Sequence, residues 1–301
     1  MHIEEVLRNA DTAMYHAKSM GRGRHAFFDE VMHHEAARRL ALTSDLREAI
    51  EEEEFGVDYQ PIVRLDDQRI VGFEALVRWR NPLRGEVLPG EFIPLAEDVG
   101  LVVPIGRYVF VDACRRLAEW RRRAPRLDLR MHVNLSVQEV LEPDLDAFVA
   151  RNLRRFGLSS DDVVLEITES AVIRSNTLSL GSLARLRATG VHLCIDDFGT
   201  GYSSLRYLHQ LPFDAMKIDR SFVESADGGL GSAPIVRMLI QLARSYGIDV
   251  VAEGVETPQQ AAELMALDCE YAQGFYFYRP MTPEAVGALL DASVEASAPA
   301  V

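Results

Sequence analysis

Cysteine is scarce in this chain and spread thin. Cys114, Cys194 and Cys269 lie far apart with no C-x-x-C spacing, which excludes a disulfide framework or a cysteine-built zinc site and implies buried, reduced thiols. Long apolar runs are missing too: nothing approaches the roughly 20 residues needed to span a bilayer. The opening "MHIEEVLRNA" has no apolar signal-peptide core. These absences predict a cytoplasmic protein with no membrane segment. Positive charge is in deficit, with 32 Lys and Arg against 46 Asp and Glu and a formal net charge of −14. A surplus of that sign repels polyanions, so non-specific binding to nucleic acid or to an anionic membrane is not expected. A phosphate ligand held by local cations or metals remains compatible with it.

What the sequence does have is a repeating order. Its 301 residues, 48% hydrophobic and 26% charged, suffice for one large core or two small ones. From residue 57 onward, β-rich runs end in polar residues and are followed by helical stretches. The runs are "GVDYQPIVRL", "RIVGFEALVRW", "LRMHVNLS", "DVVLEITES", "VHLCIDDFG", "FDAMKIDRSF", "IDVVAEGVE" and "AQGFYFYRP". Between several of them lie stretches such as "GRYVFVDACRRLAEWRRR" and "SAPIVRMLIQLARSYG", with apolar residues at three- and four-residue spacing, and several close with Gly, as in "RRFG", "RATG" and "RSYG". Alternation of this kind implies parallel strands with crossover helices. Eight runs in this length favour a closed barrel, so the predicted fold is an α/β, TIM-like (β/α)8 barrel. "RLDDQRIVG" is too short for a crossover helix, which makes the first two runs a hairpin and gives the barrel one antiparallel strand.

The expected organisation is a segment 1–30 too poor in apolar surface to fold alone, a lead-in helix over 31–55 that Thr43-Ser44 could interrupt, a barrel over 56–290 and a flexible tail over 291–301.

Barrels of this type collect their chemistry at the C-terminal ends of the strands. Here strand after strand delivers an acid or amide to that rim: Glu74, Asn134, Glu166 and Glu169, Asp196 and Asp197, Lys217 and Asp219, Glu253 and Glu256. One such carboxylate would read as a loop cap. Together, uncompensated, they would repel one another strongly. Oxygen donors without a Cys/His set suit hard divalent ions. The adjacent pair Asp196-Asp197 can serve one site if Asp196 ends the strand and Asp197 opens the loop, since neighbours within a strand face opposite ways. Ions about 3.5–4 Å apart would then suit phosphoester cleavage.

In order along the chain, "EALVRW" (74–79), "NLS" (134–136), "EITE" (166–169), "DDFGTGYSSL" (196–205), "KID" (217–219), "AEGVE" (252–256) and "QGF" (273–275) resemble the motifs of EAL-domain cyclic di-GMP phosphodiesterases, over about residues 40–290. The resemblance implies hydrolysis of cyclic di-GMP to linear pGpG. It implies two Mg²⁺ or Mn²⁺ per site, inhibition by Ca²⁺, and a homodimer. Glu74, Asn134, Glu166 and Asp196 would bind the first ion; Asp196 would bridge to the second, with Asp197 and Glu253. Lys217 would polarise the attacking water, Glu253 could accept a proton, Gln273 would sit near that water, and Glu169 would brace the 196–205 loop. Arg78, Gln60, Leu76 and Asp219 would contact substrate. "ADTAMYHAKSMGRGR" (10–24) resembles the C-terminal end of a GGDEF (diguanylate cyclase) domain, a remnant without the cyclase signature.

Blander readings stand beside these. Lys217 could be a Schiff-base lysine, although the acid rim and Asp219 favour a charged ammonium. His132 and His192 read as barrel packing, adjacent His33 and His34 as a solvated helix, and "EEEE" (51–54) and "RRR" (121–123) as solvated helix ends. Glu256 reads equally as a loop brace, and Tyr202 and Tyr207 as loop packing or dimer contacts. As a whole, the alternative to an enzyme is a cyclic di-GMP receptor module that has lost catalysis. A Mg²⁺-dependent barrel lyase or aldolase is a more distant third.

Overall fold

The computed structural model describes residues 27–174, 180–200, 213–224 and 229–296, together with 10, 13, 14 and 25. Most of the GGDEF-like segment, and Tyr202 to Tyr207 of the loop, therefore lie outside the described residues. The chain divides into two compact units, Met1–Phe55 with Trp79–Leu101, and Gly56–Arg78 with Val102–Val301.

The first unit contains helix α1 (Glu30–Glu51), the end of strand β2 (Ile70–Asn81), strand β3 (Gly85–Val87) and helix α2 (Pro89–Val99). Asp29 caps α1 by accepting from the Met32 amide at 2.9 Å. The helix runs unbroken through Thr43-Ser44, because Thr43 turns its hydroxyl back onto the Arg39 carbonyl at 2.8 Å. Phe55, Trp79 and Phe92 form an aromatic cluster with centroids 5.7–5.9 Å apart. Trp79–Leu101 thus falls in the same unit as the lead-in helix. The "EEEE" run is only partly solvated: half-buried Glu54 accepts from Trp79 Nε1 at 2.8 Å and Asn81 Nδ2 at 3.2 Å.

The second unit is the barrel. Strands β1 (Phe55–Arg64), β2, β4 (Arg130–Asn134), β5 (Val163–Thr168), β6 (His192–Phe198), β7 (Ala215–Ile218), β8 (Asp249–Ala252) and β9 (Tyr271–Ala272) hydrogen-bond in the order β1-β9-β8-β7-β6-β5-β4-β2, and a β1–β2 pairing closes the ring. Neighbours from β2 round to β9 are parallel, whereas β1 meets β9 antiparallel. The hairpin reading of the first two runs accounts for that reversal. β3 is a ninth strand, paired antiparallel with Trp79–Asn81.

The crossover helices bury one stripe each. In α3 (Val102–Arg123), Ile105, Val109, Ala113, Leu117 and Trp120 are buried, at helical spacing. Trp120 packs edge-on to Tyr59 at 4.8 Å and against Phe73 at 4.9 Å. The glycines expected to end helices do so at left-handed φ: Gly157 (+68°) after α5 (Leu145–Phe156), which follows the short α4 (Val137–Leu141), and Gly247 (+67°) after α9 (Ala233–Tyr246). Before α9 lie α6 (Glu169–Arg174), α7 (Leu180–Ala188) and α8 (Arg220–Val223); after it come α10 (Pro258–Ala266) and α11 (Pro283–Ala296).

Two expectations need correction. "AQGFYFYRP" contributes only Ala272, the second residue of β9, to the sheet, because the Phe277 and Tyr278 amides donate back to the Gly274 carbonyl and turn the chain. The stretch 291–301 is not all tail, since α11 continues through residue 296. Residues 297–301 lie outside the described residues. Among the described residues, no helix is long and apolar enough to cross a membrane.

Candidate active site

Inside the barrel, polarity changes within two residues along each strand. Val164, Cys194 and Ala215 pack together as a small apolar cluster. Two residues on, and so on the same face, come Glu166, Asp196 and Lys217. β2 adds Glu74, β4 adds Asn134, and Glu253 and Gln273 follow directly on β8 and β9. Register therefore brings the predicted acids to one rim.

Lys217 occupies its centre, fully buried, with Nζ 2.7 Å from Glu253, 3.0 Å from both Glu74 and Glu166, and 3.6 Å from Asp196. Burial works against the ammonium, but Asp196, Glu166, Glu253 and Glu74 outweigh it and hold its pKa well above the ordinary lysine value. A charged ammonium, not a neutral Schiff-base amine, is what this setting stabilises. Burial also pushes the Glu166 and Glu253 carboxyls well up. Glu74 is held below the ordinary value: burial opposes this, but Lys217, Gln273 and Asn134 overcome it.

An amide chain orders one side. Gln273 Nε2 donates to Glu74 Oε2 at 2.7 Å and to Gln60 Oε1 at 2.9 Å, Gln60 Nε2 donates to the Tyr278 carbonyl at 3.0 Å, and Asn134 Nδ2 donates to Glu74 Oε1 at 2.8 Å. Buried Gln273 keeps Oε1 without a hydrogen-bond partner among the described residues.

The paired aspartates reach one site by a different route from the one expected. Both lie within β6, and a bulge sets three of its residues, Asp196 to Phe198, against two of β7, Lys217 and Ile218. Asp197 takes φ +54°, and its amide donates to Asp196 Oδ1 at 2.9 Å. Its carboxyl is pushed up to about 6 by burial first, then by Asp196 and Asp219. Asp196, Asp197 and Glu253 each present a carboxylate oxygen, all within 4.8 Å of one another. Several carboxylates share a single ammonium, all donors are oxygen, and one buried amide oxygen is unused. This set fits hard divalent cations.

Of the remaining predicted residues, Arg78 and Leu76 share Glu74's face of β2 by alternation. Arg78 Nε donates to Asp58 Oδ2 at 2.9 Å and Nη1 to the Val77 carbonyl at 3.0 Å, with both charged side chains nearly buried. Leu76 is half-buried. Asp219 caps α8 through the Ser221 amide and hydrogen-bonds Asp197. Buried Glu169 accepts from the Gly199 amide at 2.8 Å. Exposed Glu256 is tied by its backbone amide, which donates to Gln260 Oε1.

Sequence reading missed two residues. His132 is not mere packing: its Nδ1 lies 2.7 Å from Glu166 Oε1, and burial holds the imidazole down to about 3, hence neutral. It stands two residues before Asn134, so alternation along β4 was the available signal. Asp58, the partner of Arg78, carried no local signal, since their pairing depends on the β1–β2 hairpin.

A closed barrel with a carboxylate-rich, lysine-centred rim at its strand ends defines a TIM-type barrel protein with an oxygen-donor site. The family model for the EAL domain matches residues 43–280, and the chain belongs to the EAL domain family. It is 42% identical over 280 residues to the bifunctional diguanylate cyclase/cyclic di-GMP phosphodiesterase MucR of Pseudomonas aeruginosa, covering 93% of this chain and 41% of that protein. It is 40% identical over 278 residues to the cyclic di-GMP phosphodiesterase NbdA of the same organism, covering 92% and 35%. The solved structure "PaMucR Phosphodiesterase, c-di-GMP complex" superposes with a TM-score of 0.75 at 41% identity, over 82% of this chain and 99% of that one. The chain spans less than half the length of these curated relatives.

Proposed function

We propose that this chain is a metal-dependent phosphodiesterase that hydrolyses cyclic di-GMP to linear pGpG. The observation that carries the reading is the Lys217-centred rim, in which Glu74, Glu166, Asp196 and Glu253 surround one buried ammonium and Asp197 adds a further carboxylate beside Asp196 and Glu253. The relatives named for cyclic di-GMP hydrolysis, and the cyclic di-GMP complex of a similar structure, support the substrate. Glu74, Asn134, Glu166 and Asp196, with Asp197 and Glu253, would hold two Mg²⁺ or Mn²⁺ ions. Bound there, these would lower the pKa of water and neutralise phosphate charge; Ca²⁺, larger and looser in geometry, would inhibit.

The chain's own groups divide the rest of the work. Lys217 Nζ keeps the acids in register and places positive charge beside the phosphate. Gln273 Oε1, an acceptor with no partner among the described residues, orients the attacking water. Glu253 Oε1 takes the proton that water gives up as its oxygen bonds to phosphorus and one P–O3′ bond breaks, and that proton balances the one the leaving 3′ oxygen takes up from solvent; burial raises the affinity of Glu253 for protons. Arg78, held by Asp58, meets a phosphate oxygen; Gln60, Leu76 and Asp219 line the substrate's path. Glu169 braces the loop that begins at Asp196. The segment before residue 30 is part of the same reading as the end of a cyclase domain, in keeping with the bifunctional name of MucR, and so is a homodimer.

Replacing Glu74 with Ala tests the assignment. Loss of hydrolysis by at least a hundredfold with the fold intact is expected; unchanged hydrolysis would sink the metal arrangement. Intact substrate that still binds to the unmutated chain would favour the receptor reading.

A further inference from the structure

We propose that His132 is a positioning residue of this site, whose Nδ1–H orients the Glu166 carboxylate for metal binding. The inference rests on the metal-centre reading above.

His132 is in register with Val164 on β5, at the level of the small apolar cluster, and with Glu74 on β2. Its Nδ1 meets Glu166 Oε1 at 2.7 Å, while the other oxygen, Oε2, receives Lys217 Nζ at 3.0 Å. A carboxylate that holds an ion is deprotonated and only accepts hydrogen bonds, so with an ion bound the nitrogen at 2.7 Å is the one that carries the proton. Glu166 has no solvent exposure, and water cannot substitute for either partner. Each oxygen therefore spends one lone pair on a fixed donor and keeps another for an ion. Without His132, Oε1 would be buried and unpaired and the carboxylate could rotate about the single Lys217 contact. Outer partners that fix a ligand in this way typically contribute 10- to 100-fold to metal affinity.

A packing role and a positioning role separate by where the nitrogen sits. In His132→Asn the amide nitrogen falls near Nδ1; in His132→Gln it falls near Nε2; His132→Leu has none. Mn²⁺ binding is measured by calorimetry without substrate, alongside thermal unfolding of each variant. His132→Asn is expected to bind Mn²⁺ within about threefold of the unmutated chain. His132→Leu and His132→Gln are expected to bind 10- to 100-fold more weakly. Leu or Gln binding as tightly as the unmutated chain, or Asn as weakly as Gln, overturns the proposal. Should the leucine variant not fold, the Asn/Gln comparison decides alone. An unmutated chain that takes up no Mn²⁺ overturns the metal-centre reading and this inference with it, whereas normal Mn²⁺ binding with indifferent variants overturns only the role of His132.

Discussion

Lys217 Nζ donates to Glu166 Oε2 across 3.0 Å with neither side chain reaching solvent. That pair anchors four acids around one ammonium. Removing the ammonium leaves buried charge uncompensated. Lys217→Met should cost roughly 3 kcal/mol of metal-free stability at pH 8. The deficit should shrink toward pH 5, because Glu166 and Glu253, already raised by burial, take up protons there. Urea unfolding at the two pH values checks it; an equal deficit at both would contradict the charge argument.

Glu139 provides a second pH test away from the rim. Buried against Gly106, it closes a capping box with Ser136, just beyond Asn134, and burial pushes its carboxyl up to about 7. A carboxyl raised on folding binds more protons in the folded state, so its contribution to stability falls as pH rises from about 4.5 to 7. Glu139→Gln keeps the accepting oxygen and removes the titration. The difference in unfolding free energy between the variant and the unmutated chain should move by on the order of 2 kcal/mol in the variant's favour from pH 5 to pH 8.

Asp58 holds Arg78. Asp58→Ala should weaken cyclic di-GMP binding in Ca²⁺, where no turnover is expected, by roughly tenfold, or about 1.4 kcal/mol. Asp58→Asn should lie between. Calorimetry reads this directly, and unchanged affinity in Asp58→Ala would remove Asp58 from any role in presenting the arginine.

Glu169 ties Gly199, three residues past Asp196, to the start of α6. Glu169→Ala should lower protection of the Gly199 amide from hydrogen exchange by tenfold or more, while amides on β5 keep theirs. Equal protection in both proteins would show that the bond does not hold the loop.

The barrel was legible because its signals are local and repeat. Each strand run ends in polar residues and each helix carries its apolar stripe, so eight strands and the antiparallel first one follow from spacing alone. The acid rim was legible for the same reason: Glu166, Asp196 and Lys217 sit at equivalent positions of successive strands. What stayed hidden depends on tertiary partners. Trp79–Leu101 groups with Met1–Phe55 because Trp79 and Phe92 find Phe55, some twenty to forty residues earlier in the chain. The turn of Asp196 and Asp197 into one site comes from a bulge, which composition does not announce. His132 looked like packing because it sits inside an apolar run, between Met131 and Val133; only its distance to Glu166 reveals otherwise.

The most direct test is product analysis. The purified chain is incubated with cyclic di-GMP in Mg²⁺ or Mn²⁺, with and without Ca²⁺, and the nucleotides are separated by chromatography. Linear pGpG that forms with Mg²⁺ or Mn²⁺ and disappears with Ca²⁺ is the expected result. Cyclic di-GMP recovered intact under every condition would contradict the assignment of this site to hydrolysis.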